Sequence, residues 1–289
     1  FPTRRSSDLT PGLATDAASY FGRFEWAGDR YGARVEHLVI GDHFNPEVGF
    51  VRRDNVERSF GTVRFSPRPT SRRGVRKFTT EATVEYIENR QGLLESRQQS
   101  GRFNVEFENS DQFAVEATDN FERLVRPFEV SRSVFIAPGG YDFTDVTTSY
   151  AFGQQRPISG TLTWQAGRFY DGTISAIGFT AARVALTKRW SLEPTVSLNR
   201  VTLPADDFTT TLLRARSDFA FSPRMFASGL VQYSSADRAF STNVRFRWEY
   251  QLGSELFAVY TDERDTLVSG FPTLKNRALV VKINRLWRF

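Results

Sequence analysis

Residues 240–252 read FSTNVRFRWEYQL, and their alternation decides the fold class. One side of this stretch collects Phe240, Thr242, Val244, Phe246, Trp248, Tyr250 and Leu252, and the other Ser241, Asn243, Arg245, Arg247, Glu249 and Gln251. Successive side chains of a strand point to opposite faces, so a period of two over this length predicts a strand with one apolar and one polar side. The pattern recurs upstream. Phe78, Thr80, Ala82, Val84 and Tyr86 alternate with Lys77, Thr79, Glu81, Thr83 and Glu85, and Ile158, Gly160, Leu162, Trp164 and Ala166 with Ser159, Thr161, Thr163 and Gln165. No comparable window carries the 3.6-residue stripe of an amphipathic helix. The chain is predicted to be all-β, with strands near 17–26, 31–40, 58–66, 75–88, 93–107, 112–121, 142–152, 157–169, 172–187, 191–202, 208–221, 224–235, 240–252, 254–262 and 277–289.

Strand length points to a membrane. Soluble strands usually run about 5–6 residues, whereas about 9–11 cross a bilayer at a tilt, and many of these stretches reach that length. The connections give an independent reading. With the last strand ending on the periplasmic side, 41–57, 122–141 and 263–276 all fall on the outer side, where outer-membrane barrels carry their long loops. Trp26, Tyr31, Tyr86, Tyr170, Trp190, Trp248, Tyr250, Tyr260 and Trp287 sit near strand ends, where amphipathic rings favour the membrane interface.

Composition closes other doors. Among 289 residues there are no Cys, two His and one Met. A disulfide framework and a catalytic thiol are excluded, and a zinc enzyme needing several imidazoles nearly so. The net charge is +5, from 38 Lys+Arg and 33 Asp+Glu. Both signs occur on the polar sides of the strands: Arg34 and Glu36, Arg102 and Glu106, Arg214, Arg216 and Asp218, Arg245, Arg247 and Glu249. Charges are costly against lipid, so these ten are expected to line a polar lumen, with arginine forks meeting carboxylates across neighbouring strands. A wall of mixed sign argues against nucleic acid, which wants a basic stripe with stacking aromatics.

The ends of the chain differ in kind. The first residues, FPTRRSSDLT, resemble translated sequencing-adapter sequence, so residues 1–16 are set aside as non-native or disordered, and 17–289 form the barrel portion. The last, ALVVKINRLWRF, place Leu279, Val281, Ile283, Trp287 and Phe289 on one side, interrupted by Arg285. Trp287 and Phe289 fit the C-terminal signal by which outer-membrane barrels are recognised for assembly. Fifteen strands is an odd count, and single-chain bacterial barrels have even numbers. The expectation is therefore the C-terminal portion of an antiparallel barrel of about fourteen to sixteen strands, with strands missing upstream.

Four stretches carry a resemblance: GDHFNPEVGFVRRDNV (41–56), ERLVRPFEV with IAPGGYDF (122–130 and 136–143), GRFYDG (167–172) and STNVRFRWEYQLGSELFAVY (241–260). Together they resemble an uncharacterised bacterial outer-membrane β-barrel family, domain of unknown function 5916, usually C-terminal to a family-nine carbohydrate-binding module. The resemblance implies a Gram-negative outer-membrane location, a saccharide as the associated ligand, and a missing amino-terminal half. It carries no catalytic residues.

The residues themselves make 41–57 an outer loop, with Asn45-Pro46 as a turn signal. Asp42, His43, Asn45, Glu47, Arg52 and Arg53 are its candidate contacts. Asp42, Asn45 and Glu47 offer oxygens suited to Ca²⁺, but a loop folded on Phe44 and Phe50 explains the same residues, and no metal is assigned. The loop 127–141, with Pro138-Gly139-Gly140, is a second outer loop and a candidate plug. His37 falls on the apolar face of its strand and His43 in the first outer loop beside Asp42, and a membrane hydrolase would need one of them with a Ser on a neighbouring strand and an orienting polar group. No G-x-S-x-G, P-loop or H-E-x-x-H occurs, and the sequence identifies no partner for either histidine. The function read from the sequence is binding or passage of a solute, a saccharide by resemblance, with outer-membrane lipid and the barrel-assembly machinery as partners and no cofactor. The alternative is an outer-membrane surface hydrolase associated with carbohydrate breakdown.

Overall fold

The structure, a computed structural model, describes residues 18–45, 54–70, 74–267 and 272–287. Its strands are β1 (Ser19–Ala27), β2 (Tyr31–Ile40), β3 (Val56–Phe65), β4 (Val75–Asn89), β5 (Leu94–Phe107), β6 (Gln112–Leu124), β7 (Phe128–Ser131), β8 (Val134–Ile136), β9 (Gly139–Phe152), β10 (Ile158–Phe169), β11 (Gly172–Ala185), β12 (Trp190–Thr202), β13 (Asp207–Ser222), β14 (Met225–Ser234), β15 (Ala239–Gln251), β16 (Ser254–Asp265) and β17 (Thr273–Asn284). Fifteen of them form one antiparallel sheet in chain order, while β7 and β8 pair as a separate hairpin between β6 and β9. The sheet begins at β1 and ends at β17, and no pairing joins the two among the described residues. Its shortest strand has 9 residues and its longest 16.

Direct cross-strand partners lie on the same face of a sheet, so the two sides of β15 can be followed through the register into every other strand. The apolar side passes from Val244 to Tyr260 and Leu279 in one direction and to Gly229 and Ser217 in the other. On the far half it runs through Ala33, Val63, Ala82, Gly101, Ala117, Val146 and Ala166, seven residues in one transverse row. No second layer covers this side among the described residues. Phe24, Val63, Trp164, Leu279 and Ile283 are each more than half exposed.

Charge returns to the apolar side only toward one end of the strands. Arg97 there bridges Asp119 (3.2 Å) and Asp142 (3.3 Å), and Asp262 accepts from Arg264 (2.6 Å) and Arg277 (2.8 Å).

Two sequence expectations need correction. The connection placed at 263–276 is only 266–272, because Thr273 and Asn276 already pair with Asp265 and Glu263. On the opposite end, 66–74 is longer, since Pro67 and Pro69 lack ladder donors and β4 starts only at Val75. The two longest connections, 41–55 and 125–138, share one end, but the third longest does not. Strand β17 ends at Asn284, which pairs with Glu255 at the start of β16. Trp287 therefore lies beyond the ladder, its ring under the Arg285 guanidinium at 4.0 Å, and Phe289 lies outside the described residues.

Candidate functional site: the polar face and its inturned hairpin

The register places Arg34, Glu36, Arg102, Glu106, Arg214, Arg216, Asp218, Arg245, Arg247 and Glu249 on one side of the sheet, opposite the apolar side. Their partners lie directly opposite (Arg23 and Glu36, Arg102 and Glu116), offset on the adjacent strand (Arg58 and Glu36, Arg247 and Glu255), or two residues along the same strand (Arg34 and Glu36, Arg216 and Asp218). Glu36 lies within salt-bridge distance of Arg58 (3.2 Å), Arg34 (3.5 Å) and Arg23 (3.6 Å). Arg58 also donates to Glu85, and its guanidinium and that of Arg34 stand over the Phe60 ring. Arg102 meets Glu116 at 3.7 Å, and Glu106 takes Arg76 at 2.8 Å.

Farther along the sheet the pairing thins. Arg216 holds Asp218 at 2.9 Å and Arg247 holds Glu255 at 2.5 Å. Glu249 stands directly opposite Glu255 and accepts the Gly253 amide at 3.0 Å. Arg245 donates to the neutral Asn243 at 3.0 Å. Among the described residues, Arg183, Arg214, Arg245 and Lys282, all on this side, have no carboxylate partner.

One region of the polar side is apolar. Leu124, Tyr141, Phe143, Phe169, Ile174, Val201 and Phe208 all carry the polar-side register, yet they surround buried Val134 and Ile136 of β8. The hairpin thus folds back across the polar side and covers this island. Tyr170 is its anchor. Its backbone is left-handed, with φ of 52°, which turns the ring inward against Phe143 (5.0 Å) and Phe169 (4.9 Å). Its hydroxyl donates to Glu122 at 2.7 Å, and burial together with that bond pushes the phenol well above its usual range. Gly172 is required beside it, because a Cβ there would run into the Thr202 carbonyl oxygen.

The stretches 122–130, 136–143 and 167–172, separate in sequence, meet in this cluster. Sequence reading assigned Tyr170 to the interfacial aromatics and missed the cluster. The signal that could have found it is the apolar break on otherwise polar sides, at Phe143, Phe169 and Ile174.

The outer-loop candidates are only partly visible. Asp42 accepts from His43 Nδ1 at 2.7 Å, and both are exposed. Asn45 is described, whereas Glu47, Arg52 and Arg53 lie outside the described residues. No group of three or more His, Asp or Glu stands ready to hold a metal ion among the described residues.

At the opposite end, the 108–111 turn is locked by Asp111. Its carboxylate accepts the Gly153 amide (2.8 Å), the Tyr150 hydroxyl (2.7 Å), Arg156 (2.6 Å) and Asn109 (3.0 Å). The Gly153 amide first, then the Tyr150 hydroxyl and the Arg156 charge, hold this carboxyl below the usual carboxylate range.

No protein-family model matches the chain, and no curated protein or solved structure matches it either.

Proposed function

We propose that this chain is part of an outer-membrane β-barrel, its sheet closing with the polar face inward, and that it binds or passes a saccharide along that face. The observation that carries the reading is the continuous uncovered apolar side, borne by fifteen strands long enough to cross a bilayer, with the mixed charges on the opposite side. A lipid-facing Arg or Lys at mid-bilayer costs about 2–4 kcal/mol, a penalty that the observed partition avoids. Outer-membrane lipid and the barrel-assembly machinery are the partners this reading implies. The inturned hairpin narrows one mouth of the barrel.

The saccharide rests on the resemblance to a family associated with a carbohydrate-binding module. Arg183, Arg214, Arg245 and Lys282, which reach no carboxylate among the described residues, favour a saccharide that carries carboxylates. Calorimetric titration of the folded protein in detergent with tetragalacturonate and with maltotetraose tests both parts. Binding of tetragalacturonate that weakens about tenfold in Arg214→Gln/Arg245→Gln is expected. Maltotetraose binding alone overturns the charge argument, and binding of neither sugar overturns the saccharide.

A further inference from the structure

Two polar side chains face each other on the apolar side. His37 of β2 and Ser59 of β3 are direct cross-strand partners, with Nδ1 and Oγ 3.1 Å apart and both residues exposed. This supplies the nucleophile neighbour that the sequence could not identify for His37. Position 22 of β1, on the other flank of His37, is glycine, and a Cβ there would meet nothing within 4 Å, so the imidazole is approachable from that flank.

The rows around the pair are ordered by polarity. Toward the end that carries the 66–74 connection lie Val35 opposite Gly61, then Ala33 opposite Val63, then Tyr31 stacked on Phe65. Toward the other end lies Val39 opposite Glu57. On the membrane reading given above, on which this inference rests, the pair sits where hydrocarbon gives way to headgroups, the depth of a glycerolipid's ester carbonyls.

A groove opens across the two rows below the pair. It encloses about 930 Å³ and crosses the apolar side from Val35 through Gly61, Ala82, Gly101 and Ala117 to Ala166. Small side chains on consecutive strands leave the channel, with larger neighbours such as Val63 and Val84 forming its walls. Its volume is within the roughly 300–1,000 Å³ of small-molecule sites, its lining is mainly apolar, and most of its lining residues, Gln99 and Asp119 among them, carry the apolar-side register.

We propose that Ser59 and His37 form an acyl-ester hydrolase site acting on membrane glycerolipids, with the acyl chain held in this groove. Ser59 Oγ attacks the ester carbonyl carbon while its proton passes to His37 Nδ1. The bond from that carbon to the glycerol oxygen breaks, and the oxygen leaves with the proton from His37. Water then attacks the acyl-serine, giving a proton to His37; the serine ester bond breaks, Ser59 Oγ regains the proton, and the fatty acid is released. No oxidant, reductant or further co-reactant is needed.

The test places the chain in vesicles of phosphatidylethanolamine and phosphatidylglycerol and measures free fatty acid, alongside labelling by a fluorophosphonate mapped by peptide mass. The expected result is fatty acid release, label on Ser59, and a loss of at least about 100-fold in both Ser59→Ala and His37→Gln. Gly101→Leu, which fills the groove, is expected to shift preference from palmitoyl toward acetyl esters of p-nitrophenol by about tenfold, a change that a merely structural role for the pair would not produce. Vesicle-inserted protein that releases no fatty acid and leaves Ser59 unlabelled overturns the hydrolase alone. Activity that survives in Ser59→Ala does the same. Protein that stays folded and monomeric in water and ignores vesicles overturns the membrane reading together with it.

Discussion

The two halves of the polar face use arginine differently. From β1 to β9, Arg23, Arg34, Arg58 and Arg102 each reach a carboxylate, and Arg64 spends its donors on the Ser66 hydroxyl and the Gly28 and Asp29 carbonyls. From β11 to β17, Arg216 and Arg247 are neutralised, while Arg183, Arg214 and Arg245 reach no carboxylate among the described residues. The inturned hairpin stands at the seam, against strands of both halves. The contrast separates charge used to tie strands together from charge left available to a solute, although the residue types are the same in both.

The comparison can be broken most forcefully at the seam. Gly172→Ala and Ile136→Ala are each expected to cost about 2–4 kcal/mol, one through collision with a backbone carbonyl, the other through a cavity under the hairpin. Limited trypsin digestion reads this directly: cleavage after Arg132 should accelerate while the sheet persists. Unchanged protection would mean that the hairpin is held by something other than this cluster.

Next in size is the first half's own network. Glu36→Gln removes a carboxylate shared by three guanidinium groups, leaving Arg34 without an ion pair among the described residues while Arg23 keeps Glu25 and Arg58 keeps Glu85, and is expected to lower stability by about 1 kcal/mol after allowance for solvent screening. Urea unfolding followed by tryptophan fluorescence measures it. A loss no larger than that of Arg214→Gln would erase the distinction between the halves.

Asp111 extends the contrast to pH. Its folded carboxyl titrates below the unfolded one, so the stability it contributes is present above the ordinary carboxylate value and is lost as pH falls through its depressed one. The urea midpoint should therefore drop on acidification from about pH 5 to pH 3, with a smaller drop in Asp111→Asn. Equal acid sensitivity in the two proteins would assign the effect to other carboxylates.

The smallest expected effect on stability belongs to the second half. Arg214→Gln should leave the urea midpoint within about 0.5 kcal/mol of the parent, since it has no ion pair to break among the described residues. A loss above 1 kcal/mol would show that this arginine, too, is structural.

Much of this organisation was legible in the residues. The alternation in 240–252 marks both faces of β15, and the same period places the ten polar-side charges on one face, because side-chain direction along a strand depends only on parity. What parity cannot supply is the neighbour. That Arg102 meets Glu116, that Arg247 meets Glu255 and that Arg214 meets no carboxylate among the described residues depend on register between strands, which bulges such as those at Ala220/Ser222 and Glu249/Gln251 shift locally. The alternation also placed His37 on the apolar side, but only the pairing of β2 with β3 set Ser59 opposite it, 22 residues away. The hairpin cluster was hidden for a related reason. The left-handed backbone at Tyr170 and the return of β7 and β8 onto the sheet gather residues from 124 to 208, a contact set by chain geometry that no local pattern encodes. Strand type and face thus followed from the sequence alone, whereas the partners of each functional side chain were decided by the tertiary structure, since proximity across a sheet is a property of register.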